Sequence, residues 1–282
     1  MPLFNGYKHN LLNLKNKGNI LKIYFFVAPF IIIFTLITCN SDLDLFPETG
    51  IIGLRNFLDS LKPEAIEKLK NALINELRKK ASNIKPILDI HNNDAWIEDS
   101  TQFGMKGNGK AFDMIDNKAN TQKVSNNINK SVRRQFYLAL EYDEKTIKDF
   151  GAVLNQITAT ITHRNNTLLT KIANAAIMYS SNYFELAFTV LINKKDQLES
   201  LNLNALLFLK EAFDILERIR NNWKQTVKKL TNDYINDKNN IKTSKTKIIS
   251  HITHNYRSNF TTAINRIDTI SSNIAIILKE LR

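Results

Sequence analysis

The last third of the chain decides the fold class. From Leu206, apolar side chains recur at steps of three or four: Leu206, Leu209, Phe213, Leu216, Ile219, Trp223, Val227, Leu230 and Tyr234. After a polar break at Asn236 to Lys242, a second stripe runs Ile249, Ile252, Tyr256, Phe260, Ala263, Ile267, Ile270, Ile274, Ile277 and Leu281. Steps of three and four trace one face of an α-helix, whereas a strand alternates every second residue. The second stripe predicts one long C-terminal helix, capped by Ser244. At 1.5 Å per residue, about 38 residues make a rod of about 57 Å. Such a rod outreaches a small bundle, so part of it is expected to project or to pair with a second copy.

The same period recurs upstream. Lys62-Pro63-Glu64 opens a helix with Ile66, Leu69, Leu73, Leu77 and Ile84 on one face, and Pro86 is expected to end it. Ile87 to Lys110 is irregular. The Asn-rich stretch Ala111 to Ser131 reads as a short helix near Phe112 to Ile115 followed by a mobile link. Helices then follow over Val132 to Leu140, from a cap at Asp143 through Ile161, and from Leu168 to Val190, with a turn near Leu201-Asn202. With 8 Gly and 5 Pro there is little material for the tight turns of an all-β protein. The expected architecture is all-α: a bundle of about six helices with a long C-terminal helix and short connections.

The N-terminal segment carries a different signal. Ile23 to Cys39 is uncharged, preceded by Lys15, Lys17 and Lys22, and ends at the single cysteine of the chain. A run this short, interrupted by Pro29, falls below the roughly 20 apolar residues of a membrane span but suits the apolar core of an export signal. Leu36, Ile37 and Thr38 before Cys39 resemble a bacterial lipobox. The cysteine thiol would receive a diacylglycerol and its freed amine a third chain. At about 0.8 kcal/mol per buried CH2, two or more chains hold firmly where one does not. Residues 1–38 are therefore read as a lipoprotein signal peptide. Residues 39–61 are read as the acylated cysteine with a flexible tether, and 62–282 as the helical-bundle domain. The tether of about 20 residues would hold that domain clear of the lipid surface.

Charge and motifs narrow the function. The formal charge is +12; losing the four lysines of the signal (Lys8, Lys15, Lys17, Lys22) leaves +8. That permits acidic partners without specifying them. The basic pairs Lys79-Lys80, Arg133-Arg134, Lys194-Lys195 and Lys228-Lys229 are scattered, not striped, so no nucleic-acid-binding face is expected. Gly104 to Lys110 spells G-x-x-x-x-G-K, but Ala111 stands where a phosphate loop needs Ser or Thr, and polar residues precede it in place of a strand. His251 and His254 share a helix face without a third ligand, so no metal is expected and both read as half-exposed helix residues. No nucleophile elbow or acid–base pairing stands out. The chain is expected to be no enzyme, to have no catalytic residues and to use no cofactor.

Three stretches carry a resemblance. Phe103-Gly104-Met105-Lys106-Gly107, then Arg133-Arg134-Gln135-Phe136-Tyr137-Leu138-Ala139-Leu140-Glu141-Tyr142-Asp143, then Lys194-Lys195-Asp196-Gln197-Leu198-Glu199-Ser200-Leu201-Asn202-Leu203 resemble the plasmid-encoded outer-surface lipoproteins of Borrelia that include the complement regulator-acquiring surface protein. The resemblance covers roughly Leu69 to Arg282. It implies an all-α bundle, a lipid anchor in the outer membrane at the cell surface, and a role in virulence through complement evasion. Host partners of that family include complement factor H, terminal complement components and plasminogen, and its best-known member forms a homodimer through the last helix. The shared residues Phe136, Tyr137, Leu140 and Tyr142 are core types and Asp143 a cap, so they mark the fold and leave the ligand open. An adhesin or colonisation lipoprotein without a complement ligand is the competing expectation. The expected contact surface is the exposed face of the last two helices, with Lys245, Lys247, Arg257 and Arg266 as partner-binding candidates. Mass spectrometry of the purified protein is expected to find an N-terminal acylated Cys39; an intact Met1 with a free thiol would refute the anchor.

Overall fold

The computed structural model describes residues 62–159, 163–261, 264 and 266–281. The signal, the lipobox residues Leu36, Ile37 and Thr38, Cys39 and the tether lie outside them. The chain divides into two compact units, Met1–Ile66 and Glu67–Arg282. Of the first, the described part is the opening turn of helix α1, where the Lys62 carbonyl accepts from the amides of Ala65 and Ile66.

The second unit is all-α, as the periodicity predicts. α1 (Pro63–Asn92) is followed by the short α2 (Ala111–Met114), α3 (Lys130–Ala139) and α4 (Glu144–Thr158). α5 (His163–Ser180) runs through a π-helical stretch, Ser181–Phe188, into α6 (Thr189–Lys194). Then come α7 (Leu203–Ile235), α8 (Lys247–Asn255), α9 (Arg257–Thr261) and α10 (Ile267–Lys279).

The predicted cap at Asp143 sits where expected, and Asn202, in the predicted turn, also caps a helix. Asp143 Oδ1 accepts from the Thr146 amide at 2.8 Å and Asn202 Oδ1 from the Ala205 amide at 2.9 Å. Ser244 does not cap the next helix, which starts at Lys247 behind Thr246 without a side-chain cap.

The α5–α6 run is long and apolar enough to cross a membrane by composition, but half of it is buried inside the bundle, where it is a core helix. Its π stretch explains the crowded aromatics. Bonds from i to i+5, such as Thr189 amide to Phe184 carbonyl, widen the turn, so Tyr179, Tyr183, Phe184 and Phe188 all face inward. Tyr179 stacks on Trp223 of α7 at 5.3 Å, and Phe188 meets Phe213 edge-on at 4.9 Å.

Three further expectations are corrected. Pro86 does not end α1. Ser82 and Pro86 both face solvent, so water can satisfy the carbonyl that Pro86 leaves unbonded, while Leu88 beyond it is buried. The helix stops at Asn92, where the Arg134 guanidinium collects the carbonyls of Ile90, His91 and Asn93.

The Asn-rich stretch is no mobile link. Buried Asn129 accepts from Asn117 Nδ2 at 2.7 Å and Asn120 Nδ2 at 2.8 Å, and donates to the Lys123 carbonyl at 2.8 Å.

The C-terminal helix is not one rod. It breaks at Tyr256 (φ −131°, ψ −10°) and again before α10, giving three pieces. Bending lets the stripe stay on the bundle. Ile252, Tyr256, Phe260, Ile267, Ile270, Ile274 and Leu281 are buried, and Ile249 and Ile277 are half-buried. α10 packs against the π stretch, α6 and α7.

One irregular segment, 93–129, is tied at both ends by a buried cation. Arg133 is 1% exposed. Its Nε and Nη2 donate to the two oxygens of Glu98, each at 2.7 Å, and its Nη1 donates to the carbonyls of Val124 and Asn126. Breaking a buried pair strands the remaining charge, at about 3 kcal/mol or more. Glu98→Gln is therefore expected to lower unfolding free energy by about 3 kcal/mol, read from urea midpoints at constant slope.

Candidate functional site

Two of the predicted cations, Lys245 and Lys247, lie where α7 turns back into α8. The turn is tight: Asp237, Asn239 and Asn240 have left-handed backbone at φ 50°, 57° and 61°. Asp237 and asparagine tolerate this region better than branched residues do. Asp237 then knits the loop, accepting from the amides of Lys242 and Thr243 and from the Thr243 hydroxyl at 2.7 Å. α8 and α9 run back antiparallel along α7. His251 Nε2 donates to Asp233 Oδ2 at 2.9 Å, the Tyr256 hydroxyl donates to the same oxygen at 2.6 Å, and Asn259 reaches Asn222 at 3.4 Å. Lys238 closes the cluster at 3.2 Å from Asp233 Oδ1.

His251 is thus buried, not half-exposed as expected, because Asp233 gives it a partner from the facing helix. With Nε2 donating, Nδ1 is left to accept, and the amides of Asn239 and Asn255 stand 3.4 Å from it. Burial alone would raise the Asp233 pKa, but hydrogen bonds from Tyr256, His251 and Lys238 outweigh it and hold the carboxyl below its ordinary value. His254 remains exposed and bonds the Ser250 carbonyl.

Lys245 and Lys247 stand at the tip of this hairpin, Arg257 opens α9, and Arg266 precedes α10. All four are exposed, with no ion-pair partner among the described residues. The structure brings Lys245 and Lys247 together with Lys238 and Lys242. Arg257 lies about 15 Å along the helix from Lys247 at 1.5 Å per residue.

A second feature was not legible from motifs. Glu141 and Tyr142, both with left-handed backbone (φ 56° and 57°), form the turn between α3 and α4. Beside them lies a cleft of about 740 Å³ with Leu140 and Val227 in its floor and Lys145, Lys224 and Lys228 around it. Burial would raise the Glu141 pKa; hydrogen bonds from Arg220 and Lys224, both at 2.7 Å, reverse this and lower it. Arg220 also reaches Glu217, which accepts from the buried Tyr183 hydroxyl at 2.6 Å. The acids of the cleft are all engaged: Glu141 as described, Asp149 by Lys145, and Asp143 by its capping bond. None is left free for proton transfer.

The Gly104 to Lys110 loop is not built as a phosphate cradle. Its amides are spent internally, Gly104 and Lys106 on Thr101 and Gly107 on the Asp113 carboxylate. An acid stands where an anion would bind. Among the described residues no group of His, Cys, Asp and Glu is arranged to hold a metal ion.

The family signature lies partly along the cleft, through Ala139 to Asp143, and otherwise in the core. Phe103 meets Tyr137 edge-on at 5.0 Å, Trp96 packs on both Phe103 and Tyr142, and Arg134 lies 5.5 Å over the Trp96 ring. Gly151 is small for Met105, since a Cβ there would sit 3.0 Å from Met105 Cγ. A sequence profile described as Borrelia Bbcrasp-1 domain containing protein matches residues 92–279. The chain belongs to that family.

Similar solved structures include the Borrelia burgdorferi outer surface lipoprotein BBA64, with a TM-score of 0.64 and 22% identity over 78% of this chain and 100% of that one. The orthologous BSA64 of Borrelia spielmanii gives 0.64 and 23% over 79% and 100%. The Lyme disease associated outer surface protein BBA65 of Borrelia burgdorferi gives 0.62 and 19% over 72% and 99%. At these identities the likeness is one of fold. No curated protein matches the chain.

The Asp233 cluster makes a pH prediction. A carboxyl whose pKa is lower folded than unfolded adds stability above its unfolded value, about 4, and loses it as pH falls through the folded value. The melting temperature of Asp233→Asn is expected to lie below wild type at neutral pH, with the gap closing as pH drops below about 4. Thermal melts followed by circular dichroism check this; a gap independent of pH would refute it.

Proposed function

We propose that this protein is a surface-exposed lipoprotein that acts in the host interaction by binding a host protein, a complement component being the leading class. Family membership carries the reading. Three similar structures are described as outer surface proteins, which supports the same placement for this chain. Acyl chains on Cys39 are its proposed attachment to the outer membrane. Factor H, a terminal complement component and plasminogen are the candidate ligands.

The proposed contact face is the outer side of α8 to α10, with Lys245, Lys247, Arg257 and Arg266. These side chains do no packing, so they are free to meet a partner. A homodimer through this segment would have to form on the same outer face, with Ile276 (59% exposed) as its apolar element, because the predicted stripe is taken up within the chain.

The competing reading is an adhesin without a complement ligand. Detergent-solubilised full chain, immobilised and exposed to human serum, is expected to retain a complement protein identified by mass spectrometry. Arg257→Glu with Arg266→Glu is expected to weaken that retention. Retention of no serum protein, together with adhesion to host cells, would replace the first reading by the second. Protease treatment of intact cells is expected to degrade the protein; a shielded protein would refute the surface placement.

A further inference from the structure

We propose that the tip of the α7–α8 hairpin binds an extended sulfated polysaccharide. Between Lys224 and Arg257 the chain carries eight Lys or Arg and two acids, Asp233 and Asp237. Both acids are turned to internal work, Asp233 on His251, Tyr256 and Lys238, and Asp237 on the loop amides. The cations are left outward. Lys228, Lys229, Lys242, Lys245 and Lys247 are exposed, with no ion-pair partner among the described residues.

Placement turns this composition into a surface. α8 doubles back beside the end of α7, so lysines stand on both legs and on the connecting loop. Lys228 is about 10 Å from the end of α7 at 1.5 Å per residue, and charges so spaced lie close to the screening length of about 8 Å. Their potentials therefore add over an elongated patch. The loop is fixed by the Asp237 bonds and the Asp233–His251 contact, so little ordering is needed on binding.

The chemistry between the lysines selects the class of partner. Asn236, Asn239, Asn240, Thr243, Ser244 and Thr246 supply amides and hydroxyls that can both donate and accept, as sugar hydroxyls and sulfates require. Over 236–247 the large apolar side chain is Ile241, and it is fully buried. Protein partners concentrate binding energy on apolar and aromatic anchors. Membrane surfaces take up an apolar face beside the charges. The tip offers a single exposed aliphatic side chain, Ile235 at the end of α7 (48% exposed), and no apolar cluster. Lysine, a compact charge on a flexible stem, follows irregularly spaced sulfates without demanding planar geometry.

This inference shares Lys245 and Lys247 with the proposed protein-contact face but needs no serum component. The full chain in detergent is applied to immobilised heparin and to chemically desulfated heparin at about 0.15 M salt. Binding to heparin that falls with added salt, and little binding to the desulfated form, is expected. Lys242→Gln, Lys245→Gln and Lys247→Gln together are expected to weaken heparin binding at least about tenfold. The corresponding triple Arg variant is expected to retain it. A control that removes the same charge elsewhere, Lys106→Gln, Lys110→Gln and Lys118→Gln, is expected to bind as wild type. Equal binding by the tip variant, equal binding to the desulfated form, or no binding by wild type would overturn the proposal. So would phosphatidylserine vesicles that take up the protein as strongly as heparin with the same dependence on the tip lysines. Serum capture by the wild-type chain and heparin binding by Arg257→Glu with Arg266→Glu, measured separately, tell failure here from failure of the protein-binding reading.

Discussion

A guanidinium sealed inside a protein must find its partners there, and much of this fold is arranged to supply them to Arg133. Its fork meets both oxygens of Glu98, and its remaining bonds go to the carbonyls of Val124 and Asn126. Those three partners lie on a segment that has almost no regular structure of its own. The segment's own backbone bonds are those of turns, and the cation ties Glu98 near its start to Val124 and Asn126 near its end. Arg134, the next residue, faces the other way and closes the end of α1. A buried pair of this kind gives little net stability over an apolar replacement, but half of it alone is intolerable. Its value lies in fixing one arrangement, here the seating of the irregular segment against α3. The shared family motif is in this sense a fastening for the fold and has no claim on a ligand.

The C-terminal segment shows a different balance. A straight helix keeps its bonds but can touch a globular body only along part of its length. Breaking twice costs a few backbone bonds and returns most of the apolar stripe to the core. Tyr256 marks the first break: leaving the helix, its ring remains buried while its hydroxyl reaches Asp233 on α7. Burial pushes the Tyr256 hydroxyl pKa up, and the hydrogen bond and charge of Asp233 add to that, so the group stays a donor. The stripe that reads as a surface for a second copy is mostly used inside the first.

How much was legible follows from this. Helix content, the cap at Asp143, the turn near Leu201-Asn202 and the polar break before α8 are local properties, and the sequence states them through spacing and side-chain reach. Tertiary partners decide what it does not state. Pro86 looks like a terminator until Arg134 is seen holding the helix end six residues on. The Asn-rich stretch looks unstructured because its bonds are among side chains far from any periodic pattern. The breaks near Tyr256 and before α10 are invisible to a period of three and four, since the stripe continues through both. Of the partner-binding candidates, the sequence places four cations on outer faces, and the structure agrees on exposure. It could not show that Asp233 is engaged by His251, Tyr256 and Lys238 and Asp237 by the loop amides, which leaves the lysines of the tip without acidic partners among the described residues.

The consumption of the apolar stripe has a consequence for divergence. Once α8 to α10 are held by their inner side chains, their outer side chains contribute almost nothing to folding, and exchanges at such positions typically shift stability by less than about 0.5 kcal/mol. The outer face is therefore free to drift. A scaffold built this way can change its charge, its shape and its binding partner while the residues that hold it together stand still, so kinship in fold and kinship in ligand come apart.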